Sequence, residues 1–200
     1  MARTFMEAME HRRSYYALKN ESPISDDEIQ AIVEAVVKHA PSAYNMQSTR
    51  VVVLFGEQHR KLWNIVKDTL RRMVPPEIFI RSEAKIDKSF LGGYATLMFF
   101  EDQEIITALQ EKFPSYKDNF PVWSHQGSGI IQFAIWTVLE DAGFAASIQH
   151  YNPIIDEQAA KAFDIPENWK LIAQMPFGLP AETPGERTYE PISKRVIVKR

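Results

Sequence analysis

The chain contains no cysteine. That excludes a disulfide framework, a thiolate zinc site, a thiol nucleophile and a cysteine-ligated iron–sulfur cluster, and it fits a reducing compartment. Glycine is sparse, at 8 in 200 residues, and none of it is arranged to cradle a phosphate. Gly127-Ser128-Gly129 has neither a third glycine nor a preceding strand, and no Walker A sequence occurs. No His-Glu-x-x-His or other ligand-spaced cluster marks a zinc centre. Long apolar runs are missing as well: residues 130–139, the most apolar internal segment, are far too few to span a bilayer, and residues 1–10 do not read as a signal peptide. A cytoplasmic protein without membrane association is expected.

An excess of one charge is also absent. The 23 Lys and Arg against 26 Asp and Glu leave a formal net charge of −3, with a sequence pI near 6.0, so nothing attracts nucleic acid globally and no such partner is expected. With 45% hydrophobic and 24% charged residues, the composition is globular rather than disordered, collagenous or coiled-coil. One domain over residues 1–200 is expected.

Hydrophobic spacing supplies the elements. Ser25 and Glu28 form a capping box, after which Ile29, Ile32, Val33, Val36 and Val37 recur at helical spacing until Pro41. An earlier helix is expected over residues 4–10, burying Phe5, Met6 and Met9. Residues 51–55 read as a buried strand closed by Gly56, and residues 58–71 as the helix after it. Past Pro75-Pro76 the pattern predicts a weaker helix from Glu77, a strand over 95–100, a helix over 103–112 and a loop over 113–122. Residues 129–141 are apolar on nearly every face, which predicts a helix buried on all sides, at the centre of the fold or at a subunit interface, with Gly143 as a left-handed cap. A helix over 156–163, a strand over 171–175 and a strand-like end at 196–198 complete the reading. Few strands, many helices and no strict alternation favour an α+β fold.

Three segments hold polar residues with chemical potential. His11-Arg12-Arg13-Ser14 supplies two guanidinium forks and a hydroxyl, suited to a phosphate or carboxylate; the alternative is cations complementing a helix C-terminus. In the loop 41–47, Ser42, Asn45 and Gln47 are able to donate and accept toward a planar heterocycle, or they are ordinary turn residues. In 145–153, small residues let backbone approach a flat ligand, while Gln149 and His150 offer hydrogen bonds; His150 is an acid–base candidate or a structural histidine. The acid pairs Asp26-Asp27 and Glu101-Asp102 fall at helix starts, where they suit the dipole. Ser124-His125 are adjacent in sequence, which does not make a triad.

In order and spacing these segments resemble the FMN-dependent nitroreductase family. The resemblance rests on Arg-Arg-Ser at 12–14, Pro-Ser-x-x-Asn-x-Gln at 41–47, a buried helix followed by Gly-Phe-Ala-Ala-Ser at 143–147, and Phe-Gly-x-Pro-Ala-Glu at 177–182 before a basic tail. Ser-Ile-Gln-His-Tyr-Asn at 147–152 and Gly-Glu-Arg-Thr-Tyr-Glu-Pro at 185–191 look like the small branch of fungal and bacterial stress-associated nitroreductases. The resemblance implies an α+β fold with a central, mainly antiparallel sheet flanked by helices. It also implies a homodimer with two FMN sites at the subunit interface, and a C-terminal segment, 183–200, extended over the partner.

By matching position, Arg12, Arg13 and Ser14 would hold the phosphate and ribityl end, with Arg187 and Arg195 as tail candidates. Ser42, Asn45 and Gln47 would reach the flavin from the neighbouring subunit. Ser147, Gln149 and His150 would lie along the ring near its reactive nitrogen. Many relatives carry Arg or Lys two residues after the motif's serine; here that residue is Tyr16, with Arg50 and Lys85 as candidate replacements for the charge.

The implied activity is electron transfer from NADH or NADPH to nitroaromatic or quinone-type acceptors, alternating at one pocket in ping-pong fashion, with no side chain assigned as a catalytic acid or base. Two rivals remain: a flavin-binding sensor or storage protein of the same fold with incidental reductase activity, and a nucleic-acid-binding module using Arg12-Arg13 and the tail, against which the net charge weighs. Phe113, Phe120 and Trp123 either line a substrate pocket or pack within a loop.

Overall fold

The computed structural model describes residues 3–200. Capping chemistry starts the first two helices. Thr4 accepts from the Glu7 amide and Glu7 reaches back to the Thr4 amide, opening α1 (Phe5–His11). The two-residue strand β1 (Leu18–Lys19) follows, and then the Ser25–Glu28 capping box opens α2 (Asp26–His39). Strand β2 (Thr49–Phe55) leads into α3 (Gly56–Met73), with Gly56 at φ +51° making the junction. Next come α4 (Pro76–Ser89), β3 (Ala95–Asp102), α5 (Gln103–Lys112) and α6 (Phe120–Asp141). Strand β4 (Ala145–Ala146), helix α7 (Asp156–Ala162) and strand β5 (Trp169–Pro180) end the regular core.

The sheet runs β1-β5-β3-β2, with β4 also on β5, and every pairing between named strands is antiparallel. All eight residues of β3 are buried, so both faces of the central strand are covered. Alternation sorts them: Ala95, Leu97 and Phe99 pack with Ile29, Val33 and Ile135 from α2 and α6, while Met98 and Phe100 pack with Leu62, Trp63 and Ile86 from α3 and α4. No helix of the described residues is long and apolar enough to cross a membrane.

Several expectations need correction. Helix α6 begins at Phe120 rather than Gly129, because Pro121 is tolerated in a first turn and Gly127 sits where α6 passes close to Ser42. Phe5 and Met6 are exposed, since α1 buries only Ala8; Phe5 meets Phe133 edge-on at 6.4 Å. Residues 196–198 form no strand and are exposed. Strand β5 reaches to Pro180, beyond the predicted 175, because its far end gains partners in β1 and β4. Asp102 caps α5 as expected, accepting from the Glu104 amide at 3.1 Å. Glu101 instead is buried in the sheet and accepts from the Ser48 and Thr49 hydroxyls at 2.5 and 2.6 Å, with burial raising its carboxyl above the ordinary range.

Candidate functional site

Strand β5 changes partners along its length, and that change builds the site. Up to Phe177 it pairs with β3; Phe177 and Gly178 then meet Ala146 and Ala145, and Leu179 and Pro180 meet Lys19 and Leu18. Outside the named strands, Ser14 bridges Ala146 in parallel register, and the Tyr15 amide donates to the Ala146 carbonyl at 3.0 Å. The Ala181 amide donates to the Ala17 carbonyl at 2.9 Å. Three sequence-distant segments, 12–17, 145–150 and the start of the tail, are thereby tied together.

Between 12–17 and the tail lies a cavity of about 560 Å³ whose lining includes Arg12, Arg13, Ser14, Tyr16 and Arg187, and none of Ser147, Gln149 and His150 lines it. The Arg187 guanidinium donates to the Arg12 carbonyl and the Arg13 guanidinium to the Gly185 carbonyl, lacing the tail across it. Arg12 stacks 4.1 Å over the Trp136 ring, and its Nε–H is buried with no partner. Burial, and then the nearby Arg187 charge, hold the Arg12 guanidinium below its ordinary pKa. Cations held close together with an unspent buried donor suit an anion with several acceptor oxygens.

The 147–150 stretch is rigid. The backbones of Gln149 and Gln174 exchange hydrogen bonds of 2.7 and 2.9 Å, and the Gln149 amide donates to the Ser147 hydroxyl at 3.1 Å. Ser147 is buried and His150 exposed.

The 42–47 loop lies elsewhere. None of Ser42, Asn45 and Gln47 lines the cavity. Tyr44, Asn45 and Gln47 all adopt positive φ, at 54°, 50° and 49°, a conformation that costs a non-glycine residue roughly 1–2 kcal/mol. The Ser42 hydroxyl accepts from the Gln47 amide at 3.0 Å, and Tyr44 stacks on Trp123 with ring centres 5.7 Å apart. Phe113, Phe120 and Trp123 pack around the same Tyr44 ring.

Arg195, exposed after a short 3-10 turn, is also absent from the cavity lining. Neither candidate replacement for the missing cation reaches the cavity: Arg50 pairs with Asp102 at 2.9 Å, and Lys85 faces the Phe90 ring at 5.6 Å. Trp136 and Glu140 are what sequence reasoning missed. Nothing in an all-round apolar helix tells which ring will meet Arg12. Glu140 did carry a signal, as an acid at a helix C-terminus, where the dipole disfavours it.

Residues 9–179 match the Nitroreductase family. The chain belongs to the nitroreductase family. It is thus an oxidoreductase, and its similarity to individual members is extensive. It is 36% identical over 188 residues to the Saccharomyces cerevisiae protein HBN1 and 32% identical over 187 residues to nitroreductase FRM2 of the same yeast, covering 93% and 92% of both partners respectively. The structure of nitroreductase CinD from Lactococcus lactis in complex with chloramphenicol superposes with a TM-score of 0.88 at 40% identity, covering 98% of this chain and 100% of that one. A nitroreductase with bound FMN from Desulfitobacterium hafniense shares the fold, with a TM-score of 0.73 at 19% identity over the full length of both chains.

Proposed function

We propose that this nitroreductase-family chain binds FMN with its phosphate in the Arg12–Arg187 cavity, works as a homodimer, and passes electrons from NADH or NADPH to nitroaromatic or quinone-type acceptors in ping-pong fashion. The observation that carries the reading is the convergence of Arg12, Arg13, Ser14 and Arg187 on one cavity, with Ser14 bridged to Ala146 at the start of the hydrogen-bonded 147–150 stretch. Supporting it, the Desulfitobacterium hafniense relative holds FMN, and CinD has been captured with chloramphenicol and with 4-nitrophenol.

FMN, when bound, supplies the redox chemistry, and the protein supplies binding and orientation. Arg12, Arg13 and Ser14 bind the phosphate end, and Arg187, rather than the distant Arg195, is the tail cation that joins them. Ser147 and Gln149 would offer a hydroxyl and an amide to the flavin ring, and the exposed His150 would join them. Ser42, Asn45 and Gln47 serve the partner's site, a role that requires a second copy because they do not line this cavity. The exposed Phe5, Met6 and Ile130 supply apolar surface for that contact.

An absorbance scan of freshly purified protein tests the cofactor, and Arg12→Ala with Arg13→Ala tests its site. Losing charge-assisted hydrogen bonds costs roughly 1.5–3 kcal/mol each, or about one to two decades of affinity. Full flavin retention in the double variant defeats the phosphate assignment. NAD(P)H oxidation that does not accelerate on adding nitrofurazone or a quinone favours the sensor reading.

A further inference from the structure

Behind the Arg12 wall lies a second group of charged residues. Glu140, in the last turn of α6, is 5% exposed. Its Oε1 accepts from His11 Nδ1 at 2.7 Å, while its Oε2 is buried with no partner. His11 Nε2 lies 3.4 Å from Arg3 Nη2, a donor. Arg3 also approaches Asp141 at 3.6 Å.

Glu140 and Arg12 also share Trp136. Arg12 stacks on that ring, which stands one helical turn before Glu140. Three buried groups are left unsatisfied here: the Arg12 Nε–H and Trp136 indole N–H donors and the Glu140 Oε2 acceptor. The charged and titratable groups facing Glu140 are Arg3, His11, Arg12 and Tyr15, with Asp141 beside it on α6. Of these, Arg12 and Tyr15 line the anion cavity beside Arg13 and Arg187, and Arg12 is the one that carries a positive charge.

We propose that Glu140 is a positioning residue for the anion site: acting through Arg12, its buried carboxylate weakens the hold on a flavin phosphate. The proposal rests on the reading of the cavity as the phosphate site. Its physical content is the interaction of one buried negative charge with a dianion across a partly desolvated gap. At an effective dielectric of about 40, a separation of about 10 Å makes that worth on the order of tenfold in affinity. Burial, the first cause that acts on Glu140, favours its protonated form, so the opposition is fully expressed only above its raised value.

The test is the ratio of dissociation constants for riboflavin, which has no phosphate, and FMN, measured by flavin fluorescence quenching on apoprotein. Glu140→Gln keeps the shape and removes the charge. Near pH 8 it is expected to tighten FMN on the order of tenfold and leave riboflavin unmoved. A Glu140→Gln variant that weakens both ligands together, or changes neither, overturns the proposal. If it does not fold, Glu140→Met, also uncharged, is used with the same readout, and an unchanged riboflavin-to-FMN ratio overturns the proposal. Arg12→Ala is the separate check on the underlying reading. If it leaves the riboflavin-to-FMN ratio intact, the cavity is not the phosphate site, whatever Glu140 does.

Discussion

Ser14 and Ala146 stand in parallel register, 132 residues apart in the chain, with the Tyr15 amide on the Ala146 carbonyl at 3.0 Å. This bridge joins an arginine-rich helix end to a stretch that carries amide and hydroxyl groups. Both sides depend on the end of β5, where Ala145, Ala146, Leu18 and Lys19 are gathered on four consecutive residues, 177–180.

Gly178 is the tightest point of that junction. A Cβ there would lie 2.3 Å from the Lys19 carbonyl oxygen and 2.9 Å from the Tyr94 amide nitrogen, both backbone atoms unable to turn aside. Gly178→Ala is therefore expected to cost about 3 kcal/mol, lower the melting temperature by several degrees and release flavin. Calorimetry with a flavin assay on the same sample checks it. An unshifted melting temperature would mean that β1 and β4 are not held as described.

The tail offers a second test. The last strand ends at Pro180, and Ile192, Ile197 and Val198 are 69%, 77% and 69% exposed, with no cover from their own chain. Such a patch calls for a partner surface. Removing residues 189–200 keeps Arg187 and the whole sheet, so the chain is expected to fold. On size-exclusion chromatography, the full chain should run as a dimer, and the shortened one should dissociate at higher concentration. A full-length chain that runs as a monomer at micromolar concentration removes the dimer from the proposal.

Long-period signals in the sequence translated well into structure, and short ones did not. The Ser25 capping box, the β-branched run at 51–55 and the helix over 103–112 are local, so their residues sufficed to read them. Strands β1 and β4 have two residues each and exist only because β5 passes beside them. The start of α6 was hidden by Pro121 and two glycines whose tolerance depends on neighbours. For the site, Arg12, Arg13, Ser14 and Arg187 were legible as charge and motif, and the structure brings them together. Arg195 and the 42–47 loop were assigned by resemblance, and within one chain they stay apart from the cavity. Buried Glu101 was misread because sequence does not show that Ser48 and Thr49 will turn their hydroxyls to it.

His59 makes stability fall in acid. Its ring is 2% exposed, with Nδ1 2.8 Å from the Thr96 hydroxyl, which also accepts from the Trp63 indole at 2.9 Å. Burial lowers its pKa to about 4, against roughly 6.5 in the unfolded chain. Between those values the unfolded state binds the extra proton, so stability is full above about pH 6.5 and declines toward pH 4 by an order of 3 kcal/mol. Glu101 and Glu140, raised by burial, act the other way, favouring the fold at low pH and losing that contribution as pH rises through their raised values. The difference between wild type and His59→Gln isolates the imidazole. Urea unfolding should show the gap between them narrowing as pH falls from 7 to about 4.5, whereas a constant gap would sink the assignment.

Gln47 tests whether backbone strain in the 42–47 loop serves the flavin. At φ +49° it carries a cost of roughly 1–2 kcal/mol that glycine would not, while glycine adds about 0.5–1 kcal/mol of unfolded-chain entropy. Gln47→Gly is therefore expected to be close to neutral, or slightly stabilising, in thermal unfolding. It also deletes the amide proposed to reach the partner's flavin, and losing one such hydrogen bond should weaken flavin binding by about tenfold. The two readouts must diverge, with melting of the apoprotein unchanged and flavin affinity reduced. If affinity is untouched, the strained conformation is not maintained for the cofactor, and Gln47 leaves the proposed site.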